Sequence, residues 1–239
     1  LINATKTKDL EDHLTQSSSP LYITLMTAPI DEYHTIEGTH QYRIKIKGSV
    51  FLAIARPVES AAEGDTILTE WWKIHYDATH IGLGRRLAPP PDGEERFDDD
   101  GEPHGTTGPP ILRAITGADL WGVQVGVVRW YGGTKLGTGG LTRAYGGAAR
   151  EVIQQATRKK IEILRTVVVT ISNNWIGTVY TIVDKQQGRP QTPEYVQTGI
   201  RLTIDVLNSR ADMLAEALFD GTNGQAKIEV AEEPTDRSF

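Results

Sequence analysis

From Gln41 to Lys47 the residues Tyr42, Ile44 and Ile46 alternate with Arg43, Lys45 and Lys47, the period of two that marks a strand with one buried face. Gly48 breaks the alternation, and Phe51 to Val58 is expected to return as the hairpin partner. The period then changes. Between Ala61 and His75, positions 67, 68, 71, 72 and 75 recur at helical spacing, so Trp71 and Trp72 read as packing residues on a core-facing stripe. Leu87 to Glu95 carries three prolines and a glycine and is expected as a surface loop. An acidic loop, a short helix and another strand follow. In that strand Val123, Val125 and Val127 share one face, while Gly122, Gln124 and Gly126 share the other, where missing side chains let a helix approach closely. The strand should therefore be central. Beyond a glycine-rich loop, Leu141, Ala144, Tyr145, Ala148, Val152 and Ala156 form the apolar stripe of a further helix.

The second half gives a strand at Ile161 to Ile171, a helix at Trp175 to Gln186, strands at Thr192 to Gln197 and Ile200 to Leu207, a helix at Arg210 to Asp220 and a strand at Lys227 to Val230. That order, βαββαβ, is the split-βαβ pattern. The basic run Arg158-Lys159-Lys160 closes the preceding helix, where cations suit the dipole, and is expected to be a linker. Residues 1–25, with the serine-rich segment Thr15 to Pro20, read as a loosely ordered arm. The expected division is thus 1–25, 26–158 and 161–239, in an α+β chain.

Composition narrows the chemistry. With 239 residues, 38% of them hydrophobic and 23% charged, the chain can build two small cores. A formal charge of −6 gives no global attraction for nucleic acid, so any such binding must come from a local basic patch. The absence of cysteine removes disulfides, thiolate metal sites and a cysteine nucleophile. No apolar run has membrane length and no secretory pattern opens the chain, so the expected location is the cytoplasm.

The densest chemistry lies between Asp98 and Ala156. Asp98-Asp99-Asp100-Gly101-Glu102-Pro103-His104-Gly105-Thr106-Thr107-Gly108 is followed, after the strand, by Arg129-Trp130-Tyr131-Gly132-Gly133-Thr134-Lys135-Leu136-Gly137-Thr138-Gly139-Gly140-Leu141 and then Arg143-Ala144-Tyr145-Gly146-Gly147. This ordered string resembles the signature of the YigZ/IMPACT family. The resemblance implies an N-terminal domain of a ribosomal-protein-like kind and a C-terminal ferredoxin-like domain similar to one in elongation factor G. Eukaryotic members carry an extra partner-binding module through which they influence a translation-regulating kinase, so what the resemblance implies here is an association with translation and its regulation. Ala78-Thr79-His80 resembles a second family element but continues as Ile81-Gly82-Leu83-Gly84, where the family has a polar residue, a cysteine and an aromatic strand. His80 is therefore read as a structural histidine.

Two chemistries fit the signature residues. Asp99, Asp100, Glu102 and His104 could gather a hard divalent cation on oxygen ligands, which would suit a metal-dependent phosphate-ester enzyme. The plainer reading has these acids forming turn bonds or pairing with Arg129 and Arg143, with no metal and no cofactor. The glycine loop is neither a Walker A nor a dinucleotide fingerprint, because Lys135 follows a threonine and Thr142 stands where a last glycine is needed. No HExxH pair or GxSxG elbow is present, and no catalytic residue is assigned. The favoured reading is non-enzymatic: RNA, or a ribosome-associated partner, bound by Arg129, Gly132, Gly133, Lys135, Gly137, Thr138, Gly139, Gly140, Arg143 and Arg150, with Trp130 or Tyr131 stacking on a base. A pure protein-interaction module is the remaining class. Arg143 lies in a helical first turn and opposes the dipole, so a carboxylate or a bound anion is expected beside it.

Overall fold

The computed structural model describes residues 29–238 apart from 88 and 90–92, so the arm expected at 1–25 and the middle of the proline loop lie outside the described residues. The chain is α+β, as the periodicities predict. Its elements are β1 (Glu32–Ile36), β2 (His40–Ile46), β3 (Ser49–Pro57), α1 (Ala61–Ile74), β4 (His80–Arg86), β5 (Glu95–Asp98), α2 (Gly108–Gly117), β6 (Val123–Trp130) and α3 (Thr138–Gln155), followed by β7 (Arg158–Ser172), α4 (Ile176–Lys185), β8 (Arg189–Pro190), β9 (Glu194–Val196), β10 (Gly199–Leu207), α5 (Ala211–Gly221), β11 (Lys227–Val230) and β12 (Thr235–Ser238).

Five strands form one antiparallel sheet in the order β2-β3-β6-β4-β5, with β6 in the centre as its valine alternation requires. The valine face, with Phe51, Ala53 and Ala55 of β3, packs against α2 and α3 in one core. The opposite face, with Leu52, Ile54, Ile81, Leu83 and Val128, packs against Ile67 and Trp71 of α1. Gly126 shows why that face is bare: a Cβ there would stand 2.3 Å from the Trp71 ring. Ser60 caps α1 by accepting from the Glu63 N–H at 3.2 Å, and Glu63 reaches back to the Glu59 N–H at 2.8 Å, a variant of the capping box.

Strands β4 and β5 were not expected. The Gly82/Gly84 alternation hides β4, because an apolar pattern cannot register a face made of glycine. Added Cβ atoms there would meet Thr107 at 1.8 Å and the Leu112 backbone at 2.7 Å, so the glycines admit α2 onto the sheet.

The second sheet is built on β7, a strand of 15 residues. Strand β10 runs antiparallel along one edge and β11 along the other, with β8 and β9 beyond β10. The predicted βαββαβ succession is present, with β9 inside the expected 192–197, but two strands were not expected: β8 ahead of β9, and β12 after β11, which also pairs with β7. Helices α4 and α5 supply Val179, Val183, Leu214 and Leu218 to its core. The basic run at 158–160 is not a linker but the start of β7. It pairs with β1, Ile36 opposite Arg158 and His34 opposite Lys160. Ile36 itself is buried in the core of the first sheet, so β1 reaches both halves.

Candidate functional site

The acids of the signature loop hold the loop in shape. Asp99 sits before the first turn of α2 and accepts from Thr107 N and Gly108 N at 2.9 Å each and from Gly105 N at 2.7 Å. Burial alone would push its carboxyl up, but these three N–H donors hold it below the ordinary value. Asp98 accepts from Asp100 N at 2.8 Å. Asp100 ties the loop to β4: its Oδ2 accepts from Ile81 N at 2.8 Å and its carbonyl lies 2.6 Å from His80 Nδ1. Burial pushes the Asp100 carboxyl up. His104 is exposed, 3.7 Å from Asp99. Among the described residues no group of three or more His, Asp or Glu is gathered as metal ligands. Backbone N–H groups engage both carboxylate oxygens of Asp99 and one oxygen each of Asp98 and Asp100.

Glu102 has a different role. Arg129 continues the valine face of β6 and lies under α3, where its guanidinium pairs with Glu102 Oε1. Tyr145 of α3 donates to the same oxygen at 2.8 Å. Both charged side chains are only 6% exposed, and burial, then the charge of Glu102, pushes the Tyr145 phenol up. The pairing expected between the acidic loop and Arg129 is therefore present. The one expected with Arg143 is not, because Arg143 faces the other side of α3.

Past Arg129 the chain divides the signature residues among three environments. Trp130 turns to the α1 face and is half-buried, its ring 5.5 Å edge-on from His75, which makes it a packing residue. Tyr131 is 47% exposed, and its N–H donates to Thr79 Oγ1 at 3.0 Å. Gly132 packs on the β2–β3 turn, where a Cβ would fall 1.9 Å from the Gly48 carbonyl carbon, and its N–H donates to Ser49 Oγ at 3.1 Å. Gly133 and Gly137 have φ of 83° and 71°, a region costly for other residues. Gly137 is the N-cap of α3 and offers no side-chain cap. Lys135, Thr138, Gly139 and Gly140 follow the turn into the helix. Together Thr79, His80, Glu102, Tyr131, Lys135 and Thr138 line a cavity of about 480 Å³.

Arg143 and Arg150 lie outside that cavity. With Arg113 of α2 and Arg158 of β7 they line a groove of about 790 Å³ between α2 and α3, and none of its lining residues is acidic. Among the described residues Arg113, Arg143 and Arg150 form no ion pair; Arg158 donates to the Ala118 carbonyl. The sequence pointed to two of the four arginines. Arg113 was passed over because it stands alone in a short apolar helix, and Arg158 because its basic run was read as a linker.

A model of the Impact N-terminal domain matches residues 47–153, which hold the five-stranded sheet except β2 and nearly all of the residues above. An IMPACT family member in the pol 5′ region of Thermus thermophilus is 34% identical over 187 residues, covering 77% of this chain and 99% of that protein. The family members YvyE of Bacillus subtilis and YigZ of Escherichia coli are each 26% identical, over 85% and 79% of this chain and 93% of each relative. A crystal structure described as that of a hypothetical protein shares the fold, with a TM-score of 0.59 at 24% identity over 85% of this chain and 99% of the other. The buried Glu102–Arg129–Tyr145 set, the acidic loop that caps α2 and the glycine turn into α3 are thus the shape that the signature takes in a chain that belongs to the IMPACT family.

Proposed function

We propose that this protein binds RNA through the groove between α2 and α3, without catalysing a reaction, and that it acts in the cytoplasm in association with translation. The observation that carries this reading is the groove itself: four arginines, no acidic lining residue and, among the described residues, no ion pair for three of the four, in a chain whose net charge is −6. Unpaired guanidinium groups gathered on a globally acidic molecule repel one another unless an anion joins them. Phosphate is the anion that a planar, five-donor fork fits best. The anion expected beside Arg143 would then be a backbone phosphate. Family membership supports the link to translation, as do the ribosome-related domain types that the resemblance implies.

Such binding depends on few phosphate contacts and is weak. The test is fluorescence anisotropy of the full chain with a single-stranded RNA over a salt series. Each phosphate contact should add about −0.7 to the slope of log K against log salt. Arg143→Ala and Arg150→Ala are expected to weaken binding and each to flatten that slope by about one contact. Both side chains are exposed, so neither change unfolds the helix. If the double variant binds RNA as the unaltered chain does, the groove is not the interface, and a protein partner takes the place of RNA in this reading.

A further inference from the structure

The cavity beside the glycine turn has chemistry that the arginine groove lacks. Glu102 lines it with a side chain only 6% exposed. Its Oε1 takes the bonds from both Arg129 and Tyr145, and no described residue donates to Oε2. Oε2 is not sealed from solvent, so it is open to a donor that enters the cavity. His80, also in the lining, adds a second acceptor. Its Nδ1 lies 2.6 Å from the Asp100 carbonyl and 3.5 Å from Asp100 Oδ2, both acceptors, so Nδ1 carries the hydrogen, and Nε2 is the acceptor whenever the ring is neutral. No described residue meets Nε2. The same lining carries donors: Lys135, which forms no ion pair among the described residues, and the first turn of α3, which has no side-chain cap. The ring of Tyr131 stands beside them, half exposed.

A ligand that satisfies all of these groups needs an anionic end, hydroxyl or amino donors and a flat ring. We propose that this cavity binds a nucleoside monophosphate unit, its phosphate at Lys135 and the α3 N-terminus, a donor of its ribose or base on Glu102 Oε2, and its base against Tyr131. Phosphate at a helix N-terminus, a carboxylate accepting from a ribose hydroxyl and a base stacked on an aromatic ring are each established modes of recognition. A volume of about 480 Å³ lies in the range of small-ligand sites. The unit could be a free mononucleotide or the phosphorylated end of an RNA chain, and both present the same chemistry. This site is separate from the arginine groove, and the inference does not depend on RNA binding there.

The experiment is calorimetry of the full chain with AMP, GMP, CMP and UMP, each compared with its nucleoside and its 2′-deoxy form. A second arm uses RNA oligonucleotides ending in a 5′-phosphate, a 3′-phosphate or hydroxyls only. At least one monophosphate is expected to bind saturably in the micromolar range, with its nucleoside weaker by about tenfold or more. Tyr131→Ala and Lys135→Ala are expected to weaken binding about tenfold each. Both residues are surface-exposed, and an unchanged melting temperature would establish that each variant is folded. Glu102→Gln replaces an acceptor by a donor and is expected to abolish any preference for the ribo form. Tighter binding of a phosphorylated oligonucleotide than of any mononucleotide identifies an RNA end as the source; equal or weaker binding identifies the free nucleotide. The proposal is overturned if no monophosphate and no phosphorylated oligonucleotide binds below millimolar, or if folded Tyr131→Ala and Lys135→Ala both bind as the unaltered chain does.

Discussion

Asp99 and Glu102 stand three residues apart, and their surroundings give them different partners and different sensitivities to substitution. Asp99 accepts three N–H bonds at the start of α2, and its folded pKa lies below the ordinary 3.8. The stabilisation it provides is therefore fully present above about pH 4 and is lost as pH falls through the depressed folded value. Asp100, whose folded pKa is raised, contributes with the opposite sign. Asp99→Asn keeps one oxygen and loses the bond from Gly105. It is expected to cost about 1–2 kcal/mol at neutral pH and to make the loss of stability on acidification shallower, which urea unfolding at several pH values between about 3 and 7 would measure. A steeper acid dependence in the variant would contradict this account. At Glu102 the dominant fact is a buried pair. Glu102→Ala leaves Arg129 buried without its partner and should cost about 3–5 kcal/mol. Tyr145→Phe removes one bond to a charged group and should cost about 1.5–3 kcal/mol. Equal costs for the two would mean that the ion pair is not the main interaction.

Among the elements, the sheet strands show how glycine can be read in two ways. In β6 the valines mark one face, so the glycines on the other are visible as a face kept bare, and Trp71 of α1 fills it. Gly126→Ala drives a methyl group into that ring and is expected to destabilise the protein by about 1–3 kcal/mol, with a change in near-ultraviolet circular dichroism as Trp71 shifts. An unperturbed spectrum with unchanged stability would show that α1 sits farther from the sheet. In β4 the same device escapes a pattern search, because Ile81, Leu83 and the two glycines leave only two marked positions. Its function is to bring α2, and with it Asp99 and the acidic loop, against the sheet.

At the scale of the molecule, we propose residues 26–158 and 161–239 as two folding units, with β1 reaching across. Asp31 accepts from Ser209 N and Ser209 Oγ at 2.7 and 2.6 Å. His34 O accepts from Trp121 N at 2.8 Å, and Ile36 is buried beside Leu120 in the first core. One segment of the chain therefore holds both sheets. Because Arg158, Lys159 and Lys160 are paired with β1, a trypsin-like protease is expected to spare these bonds under native conditions. Mass spectrometry of early fragments would check this, and early products ending at residues 158–160 would show that the β1–β7 pairing does not hold in solution. Among the described residues no helix is long and apolar enough to cross a membrane.

The sequence by itself determined the α+β class, the central β6, the core faces of α1 and α3, and the βαββαβ order of the second half. All of these follow from periodicity, which is local and is repeated over enough residues to be read. It also marked the signature stretch, because that stretch concentrates glycine and charge. What it could not determine is which of the signature side chains share a space. Arg129 and Trp130 are neighbours in sequence but point to opposite faces of β6. Glu102 meets Arg129 and Tyr145 across 27 and 43 residues, and Arg113, Arg143, Arg150 and Arg158 meet only when α3 lies along α2 and leads into β7. The tertiary structure decided these groupings because they depend on how elements dock. Docking is set by packing of whole faces, and no local pattern encodes it.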